Sequence, residues 1–442
     1  MTRYRPARRA DPRSAAAAAL SFLFPGLGQG YNGQWLLATL LAVPVLLILV
    51  LAALAVATNG SGVLSRLLDT RVLGALIVMN LALLGWRLVA ILQAHADRER
   101  LSFRGWPTWV TAVLVVLTVG MHAVPTYYGA KAIDTLGSVS LEGGASLFDE
   151  RQGRDIDLPE PSGQPELGER VTVLLVGVDF APGRTHHLTD TMLVSTFEPH
   201  TGEVAMISVP RDLYGVPLGD GRVYNAKLNS LMSQASADPA SYPQGGPATL
   251  KAAIGHLFGT QIHYFAAIDI DGMRQLIDTL GGVDVVVERA INDPRYHDAA
   301  TGQRGFAIES GPRHLDGQTA MAYIRSRYAA GESDFTRAER QQQVLTAIAE
   351  KLTAGNVLVT LPSLLDTVRA NVATDIPSRR IPEIAAAGQE ADLREVERVV
   401  LTPDDGYVTV DPDSAAGYIL VPNLDAIRAL GAAIFGSAVR DP

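Results

Sequence analysis

Apolar residues run almost uninterrupted through three stretches near the start of the chain, roughly 35–57, 71–93 and 107–128. Each can cross a bilayer core of about 30 Å, which takes about 20 apolar residues as a helix. An earlier run, Ser14 to Phe24, covers only about 16 Å at about 1.5 Å per residue, and Pro25-Gly26-Leu27-Gly28 stops it. It predicts a re-entrant or interfacial piece. The region 1–130 is thus a membrane region with about three transmembrane helices. Residues 131–168 carry Gly143-Gly144, Pro159, Pro161, Gly163 and Pro165 among acidic residues with little periodicity, and read as a linker. A globular domain follows over 169–442. VTVLLVGV (171–178) has the length and continuity of a buried strand, and TMLVSTF (191–197) and EVAMISV (203–209) are strand candidates too. Then come a helix (248–258), a strand (262–269), a helix (271–280) and a strand (283–288), with further helices near 317–324, 336–353 and 424–435. Strands and helices in this order predict an α/β or α+β sandwich around one sheet.

Charge divides along the same line. Residues 1–130 hold 11 Lys and Arg against 4 Asp and Glu, and the remainder of the 442 residues holds 26 against 42. An acidic domain has no broad attraction for nucleic acid, so its arginines matter as local clusters. The chain has no cysteine, which excludes disulfides, thiolate zinc sites and a thiol nucleophile. Basic residues in short loops set orientation. Arg3, Arg5, Arg8, Arg9 and Arg13 precede the first span, and Arg98, Arg100 and Arg104 follow the second. A cytoplasmic N-terminus and three spans put everything after about residue 130 outside the cell membrane. Arg87 lies within the second span and is expected to snorkel or to pair inside the bundle. The phrase FPGLGQGYNGQ (24–34) resembles a short motif of assorted multi-span bacterial membrane proteins; a glycine-rich bend before a helix accounts for it equally well.

Within the acidic domain, arginine and aspartate recur in separated motifs: VGVDFAPG (176–183), LTDTM (188–192), SVPRD (208–212), AKLN (226–229), AYIRSRY (322–328) and SDFTRAERQQQ (333–343). Guanidinium groups grip phosphate bidentately, and paired carboxylates hold the divalent cation that a pyrophosphate brings with it. Asp179 stands just past a buried strand, where ligands of open α/β sheets collect, and Asp190 begins the next strand. The two could face one cavity and hold Mg²⁺; each alone is more commonly a turn or capping residue. Arg211 and Asp212 follow Pro210 at another strand end. Arg325 and Arg327, two apart, point to one side in extended backbone. Arg337, Arg340 and Gln341 share the first turns of a helix face that Val344, Leu345 and Ile348 continue inward. Cations there oppose the helix macrodipole, which makes sense if an anion binds; salt bridges to Asp334, Glu332 or Glu339 are the structural alternative. His186-His187 lacks any partner spacing of a zinc site.

This ordered series, together with IDIDGMRQLIDTLGGVDVVV (268–287) and HLDGQTAMAYIRSRY (314–328), resembles the LytR-CpsA-Psr family of bacterial cell-wall proteins. The match covers 170–373 well and the tail to 442 more loosely. The resemblance implies a three-layer α/β sandwich around a central mixed sheet, anchored by membrane helices and exposed outside the cell. It implies a polyprenyl-pyrophosphate-linked glycopolymer as substrate, its lipid tail in a hydrophobic tunnel, and peptidoglycan as acceptor, with Mg²⁺ or Mn²⁺ as cofactor. Carried over by position, Asp179 and Asp190 are metal carboxylates; Arg211, Arg325, Arg327, Arg337 and Arg340 clamp the phosphates, assisted by Lys227 and Gln341. Asp179 or Asp212 takes the proton from the sugar hydroxyl. Ala181 and Leu188 stand where the family usually has arginines, and Arg184, His186 or His187 are the candidates to replace them. A polyprenyl-pyrophosphate phosphatase and a non-catalytic lipid receptor or scaffold are the alternatives to a phosphotransferase.

Overall fold

The computed structural model describes residues 11–58, 69–97, 105–139, 169–179, 188–353 and most of 363–436. It divides into two compact units, Met1–Asp134 and Thr135–Pro442.

In the first unit α1 (Pro12–Leu23) and α2 (Leu27–Tyr31) precede α3 (Trp35–Thr58), α4 (Thr70–His95) and α5 (Trp106–Val139). The last three are long and apolar enough to cross a membrane. The linker expected from residue 131 begins inside α5; residues 140–168 lie outside the described residues. The stretch Ser14 to Phe24 is a helix too short to span. It buries Ala15, Ala17 and Ala18 in a region where Ala90, Ile91 and Ala94 of α4 are also inaccessible. The phrase FPGLGQGYNGQ is absorbed by this packing. Gly28 lies against α1 so closely that a Cβ would fall 2.1 Å from the Ala17 carbonyl oxygen. Gln29, fully buried, accepts from Ser21 Oγ (3.1 Å) and donates to the Ala90 carbonyl (2.7 Å) and Gln93 (2.8 Å), while Asn32 donates to the Ala94 carbonyl (2.9 Å). Such bonds satisfy polar groups that lipid would leave unpaired. Arg87 donates to the Phe22 carbonyl (2.5 Å), as a bundle-internal cation should.

The second unit is built on one mixed sheet. Its strands are β1 (Val171–Asp179), β2 (Leu188–Phe197), β3 (Val204–Ser208), β6 (Tyr264–Asp269), β11 (Val372–Thr374) and β12 (Glu397–Val400), in the order β11-β6-β1-β2-β3-β12. β1 runs antiparallel to β2 and parallel to β6, and β12 runs parallel to β3. Four two-stranded ribbons surround it: β4 (Tyr214–Pro217) with β5 (Val223–Lys227), β7 (Val283–Val287) with β10 (Gly311–Leu315), β8 (Ile291–His297) with β9 (Arg304–Ile308), and β13 (Val408–Asp411) with β14 (Ile419–Pro422). The helices are α6 (Leu231–Ala237), α7 (Gly246–Phe258), α8 (Ile270–Thr279), α9 (Gly317–Arg325), α10 (Asp334–Thr353) and α11 (Leu424–Phe435). The fold is the expected three-layer α/β sandwich around a central mixed sheet.

The two faces of the sheet are treated differently. Leu174, Val176 and Val178 of β1, Met192 and Val194 of β2 and Ile207 of β3 join α7 and α11 in one continuous core. Side chains alternate across a strand, so Leu175 and Gly177 look the other way, and these positions are only half-buried. Opposite them a second core, made of α8, α9, α10 and the β7–β10 ribbon, packs mainly on itself. One buried ion pair fixes the edge of the sheet. Lys251 on α7 donates to Asp375 (2.5 Å), whose other oxygen accepts the Phe265 amide of β6 (2.6 Å). Removing one partner of a buried pair strands the other, at a cost of about 3–5 kcal/mol. Asp375→Asn is expected to lower the unfolding free energy by about that amount, measured by chemical denaturation of the full chain in detergent. A near-neutral substitution would mean that water reaches Lys251.

Candidate functional site at the mouth of an apolar cavity

Because the second core stands off from the sheet, a cavity of about 630 Å³ lies between them. Its floor is the half-buried face of β1 and β6, with Leu175, Gly177, Ala266 and Ile268. Its roof includes Met273, Ile324 and Val344 of α8, α9 and α10. The described residues around it include five guanidiniums (Arg211, Arg295, Arg325, Arg327, Arg337) against three carboxylates (Asp190, Asp269, Asp293). An apolar pocket of this size with a net basic lining suits an apolar tail that carries an anionic head.

Asp190 reaches the cavity through a register fault. Gly177 pairs with Thr191 but Val178 pairs with Thr189, so Asp190 is the extra residue of a β-bulge. A bulge re-aims side chains, and here both Asp190 and Thr191 line the cavity. Arg211, in the turn after β3, donates to Asp190 (2.7 Å) and lies 3.5 Å from Asp212 and 3.9 Å from Asp334. Burial acts to lower the Arg211 pKa, but Asp190, Asp334 and Asp212 outweigh it and hold the group above its ordinary value. Asp212, buried, accepts from Lys227 (2.8 Å). Neither Asp212 nor Lys227 lines the cavity; they brace Arg211 from behind.

The RSRY segment is not uniformly extended. Arg325 closes α9, Ser326 caps it, and Arg327 follows, exposed and outside any helix or strand, yet both arginines line the cavity. One fully buried carboxylate holds the turn. Asp293 of β8 accepts from Ser326 Oγ (2.8 Å) and the amides of Arg327 (2.9 Å), Tyr328 (3.0 Å) and Arg295 (3.1 Å). Arg325 lies 3.9 Å from the buried Asp298. Arg295 stacks on the Tyr328 ring at 4.2 Å, a cation–π contact beside the mouth.

On α10 the expected trio separates. Arg337 and Gln341 line the cavity; Arg340 does not. Arg340 instead donates to the carbonyls of Tyr323 (2.6 Å) and Ser326 (3.0 Å) and pairs with Glu332, so it fastens α10 to the end of α9. Arg337 pairs with Asp334. Burial, then the neighbouring Arg327 and Arg211, push its pKa down to about 10, still charged at neutral pH. One amide of the first turn is already taken: Ser333 Oγ accepts the Thr336 amide (3.1 Å), and Thr336 Oγ1 accepts the Ser333 amide (3.0 Å). The salt-bridge alternative therefore describes Arg337 and Arg340, while Arg337 keeps its place at the cavity.

Asp179 ends β1, paired with Leu188, but its side chain lies outside the described residues, as do Ala181, Arg184, His186 and His187. Leu188 itself lines the cavity, an apolar residue where a cation was expected. Asp190 offers hard carboxylate oxygen at the cavity edge. Among the described residues no group of three or more His, Asp or Glu is placed to hold an ion. Magnesium is commonly held by one or two carboxylates plus phosphate oxygens; Asp190, already bonded to Arg211, is a carboxylate of that kind.

Asp293 and Arg295 escaped the sequence reading. Asp293 serves Ser326, Arg327 and Tyr328, more than thirty positions away, and the polar run NDPRYHD carries no apolar alternation that would reveal its burial. Burial raises the Asp293 pKa, but the hydrogen bonds from Tyr328, Ser326, Arg327 and Arg295 lower it more, to below the ordinary aspartate value. A depressed folded pKa gives stability that is present above the unfolded value of about 3.9 and is lost as pH falls through the folded one. Asp293→Asn is expected to flatten that acid limb below about pH 4 in thermal unfolding of the full chain, and to loosen Arg327. An unchanged limb would show that Asp293 is not the titrating group.

The sequence profile of the LytR-CpsA-Psr family matches residues 144–419. A polyisoprenyl-teichoic acid–peptidoglycan teichoic acid transferase TagU of Oceanobacillus iheyensis is 29% identical over 283 residues, 62% of this chain and 78% of its own. A TagU of Bacillus anthracis is 25% identical over 305 residues, 69% of this chain and 89% of its own. Among solved structures, Bacillus subtilis TagV aligns over 61% of this chain and 98% of its own, at 23% identity and a TM-score of 0.47. With a family profile spanning well over half of the sequence, this chain belongs to the LytR-CpsA-Psr family.

Proposed function

We propose that this chain is a phosphotransferase, anchored by α3, α4 and α5, that moves an anionic glycopolymer from a polyprenyl-pyrophosphate carrier to peptidoglycan outside the cell. The observation that carries the reading is the union of an apolar cavity with a basic mouth, the shape and charge of a lipid pyrophosphate. The names of the TagU relatives, teichoic acid transferases acting on peptidoglycan, support it. Loop arginines support a cytoplasmic N-terminus and an extracytoplasmic second unit.

In this reading the prenyl chain lies along Leu175, Ile268 and Val344, and Arg211, Arg325, Arg327 and Arg337 receive the two phosphates. An acceptor sugar hydroxyl attacks the phosphorus on the glycan side. The new phosphorus–oxygen bond forms as the bond to the bridging oxygen breaks, giving a glycan phosphodiester and polyprenyl phosphate, with the hydroxyl proton passing to a base. The arginines take up charge that builds on the leaving phosphate, which is positioning and electrostatics rather than covalent chemistry. Asp212 is already bonded to Lys227 and faces Arg211, so its role is to orient those cations, and the base is Asp179. Asp190 and Asp179 would hold Mg²⁺, which supplies charge neutralisation on the phosphates. Arg340 positions the RSRY turn.

Leu188 at the cavity favours a second reading, a lipid receptor without turnover. The deciding experiment incubates the full chain in detergent with polyprenyl pyrophosphate and Mg²⁺, beside Asp190→Ala, Arg325→Ala and Arg337→Ala. Metal-dependent release of polyprenyl phosphate or phosphate is expected, falling about 100-fold or more in each variant, the scale of losing one preorganised charge partner. Tight lipid binding without turnover, even with peptidoglycan present, would establish the receptor.

A further inference from the structure

A second cavity, of about 580 Å³, lies in the second unit along the flank of α10 that carries Thr336, Glu339, Arg340 and Gln343. That is within the range of about 300–1,000 Å³ typical of ligand sites. Its chemistry contrasts with the first. Carboxylates of Glu288, Glu332, Glu339 and Asp405 outnumber the guanidiniums of Arg289, Arg340 and Arg398, and the rings of Tyr323 and Tyr407 are part of its lining. Glu332 is spent on Arg340. Among the described residues Glu288 and Glu339 enter no ion pair, and they face the same opening. Burial and then the nearby Glu288 raise the Glu339 pKa, as two like charges beside one cleft should. Such a lining repels an anionic polymer. It offers acceptors to hydroxyl and amide donors, and the half-buried ring of Tyr407 to a sugar; Tyr323 is buried beneath Arg340.

The cavity also has the right neighbour. Val400 borders it and also borders the small recess formed by Asp190, Arg211, Asp334 and Arg337. That recess shares Asp190, Arg211, Arg337 and Gln341 with the apolar cavity. The first turns of α10 therefore stand between an apolar, basic chamber and a polar, acidic one, with the phosphate-binding candidates at the junction. An in-line displacement needs its leaving group and its nucleophile on opposite sides of the phosphorus.

We propose that this polar cleft is the acceptor subsite, holding a neutral, hydroxyl-rich glycan strand, with Glu339 and Tyr407 as binding residues. The proposal rests on the phosphotransferase reading above and names the face from which its nucleophile arrives. Neither residue lines the donor cavity; Glu339 is exposed, whereas Tyr407 is half-buried against the main core, so Glu339→Ala carries the test if Tyr407→Ala lowers stability.

The test uses the full chain in detergent and a neutral N-acetylglucosamine tetrasaccharide, which has the backbone chemistry of the glycan strand without its carboxylates, with Glu339→Ala, Tyr407→Ala and the double variant. Calorimetric titration is expected to show binding to the wild type that weakens about tenfold in a single variant, the effect of losing one or two polar contacts. The acceptor KM should rise in parallel, while cleavage of the lipid donor by water stays within about twofold, since no donor contact is removed. Equal tetrasaccharide affinity in wild type and double variant would overturn the proposal. So would donor cleavage that falls in step with transfer. A wild type that binds the tetrasaccharide but never cleaves the donor would instead sink the phosphotransferase reading, leaving the titration to decide the cleft.

Discussion

A carboxylate taken out of water must find donors or give up its charge, and the turn at the cavity mouth is organised around that requirement. Asp293 is fully buried and meets it with one hydroxyl and three backbone amides, from Ser326, Arg327, Tyr328 and Arg295. Those bonds fix the segment on which Arg325 and Arg327 sit. Arg340 closes the same turn from the opposite side by occupying the carbonyls of Tyr323 and Ser326. Two full charges of opposite sign thus clamp one short loop between them. Buried charge is costly, and here the cost goes into rigidity where two cationic side chains must be held near each other.

The same logic explains why the sheet can leave one face open. A sandwich collapses onto any gap it can fill, since each unpacked apolar surface forfeits burial. Polar ties hold the second layer off. Gln342, inaccessible on α10, donates to Ser208 Oγ (2.9 Å) and the Val399 carbonyl (2.9 Å), pinning the helix over β3 and β12 while the chamber over β1 and β6 stays clear.

What was legible in the sequence were features carried by local pattern. The run 171–178 announced β1, and the apolar positions of α7, α8 and α10 announced helices within a residue or two of their observed ends. Arg211, Arg325, Arg327, Arg337 and Gln341 do meet at one cavity. The ribbons β4–β5, β8–β9 and β13–β14 went unseen because each is short and only partly buried, which blurs the period-two signal. Arg340 shows the limit of spacing arguments. It lies three residues from Arg337 on one helix, yet the carbonyls that capture it come from the end of α9, which no helical wheel displays. Asp293 was invisible for the same reason. Register, too, is a property of two strands, and the extra residue at Asp190 could not be counted from one of them.

That bulge has a consequence for how the protein can change over time. From Thr191 onward β2 keeps an unbroken pairing with β1, and its inward side chains are committed to the core. The irregularity sits on the other side, next to the connection that runs from residue 180 to 187. A strand that has already absorbed one surplus residue insulates its interior half from whatever happens beyond it. Insertions, deletions and replacements in that connection are taken up where pairing is already broken, and the alternation beneath them does not shift. Changes in length or composition of that connection can therefore accumulate without shifting the hydrophobic interior, and the chain carries Ala181 within it and Leu188 at its edge where arginines were expected.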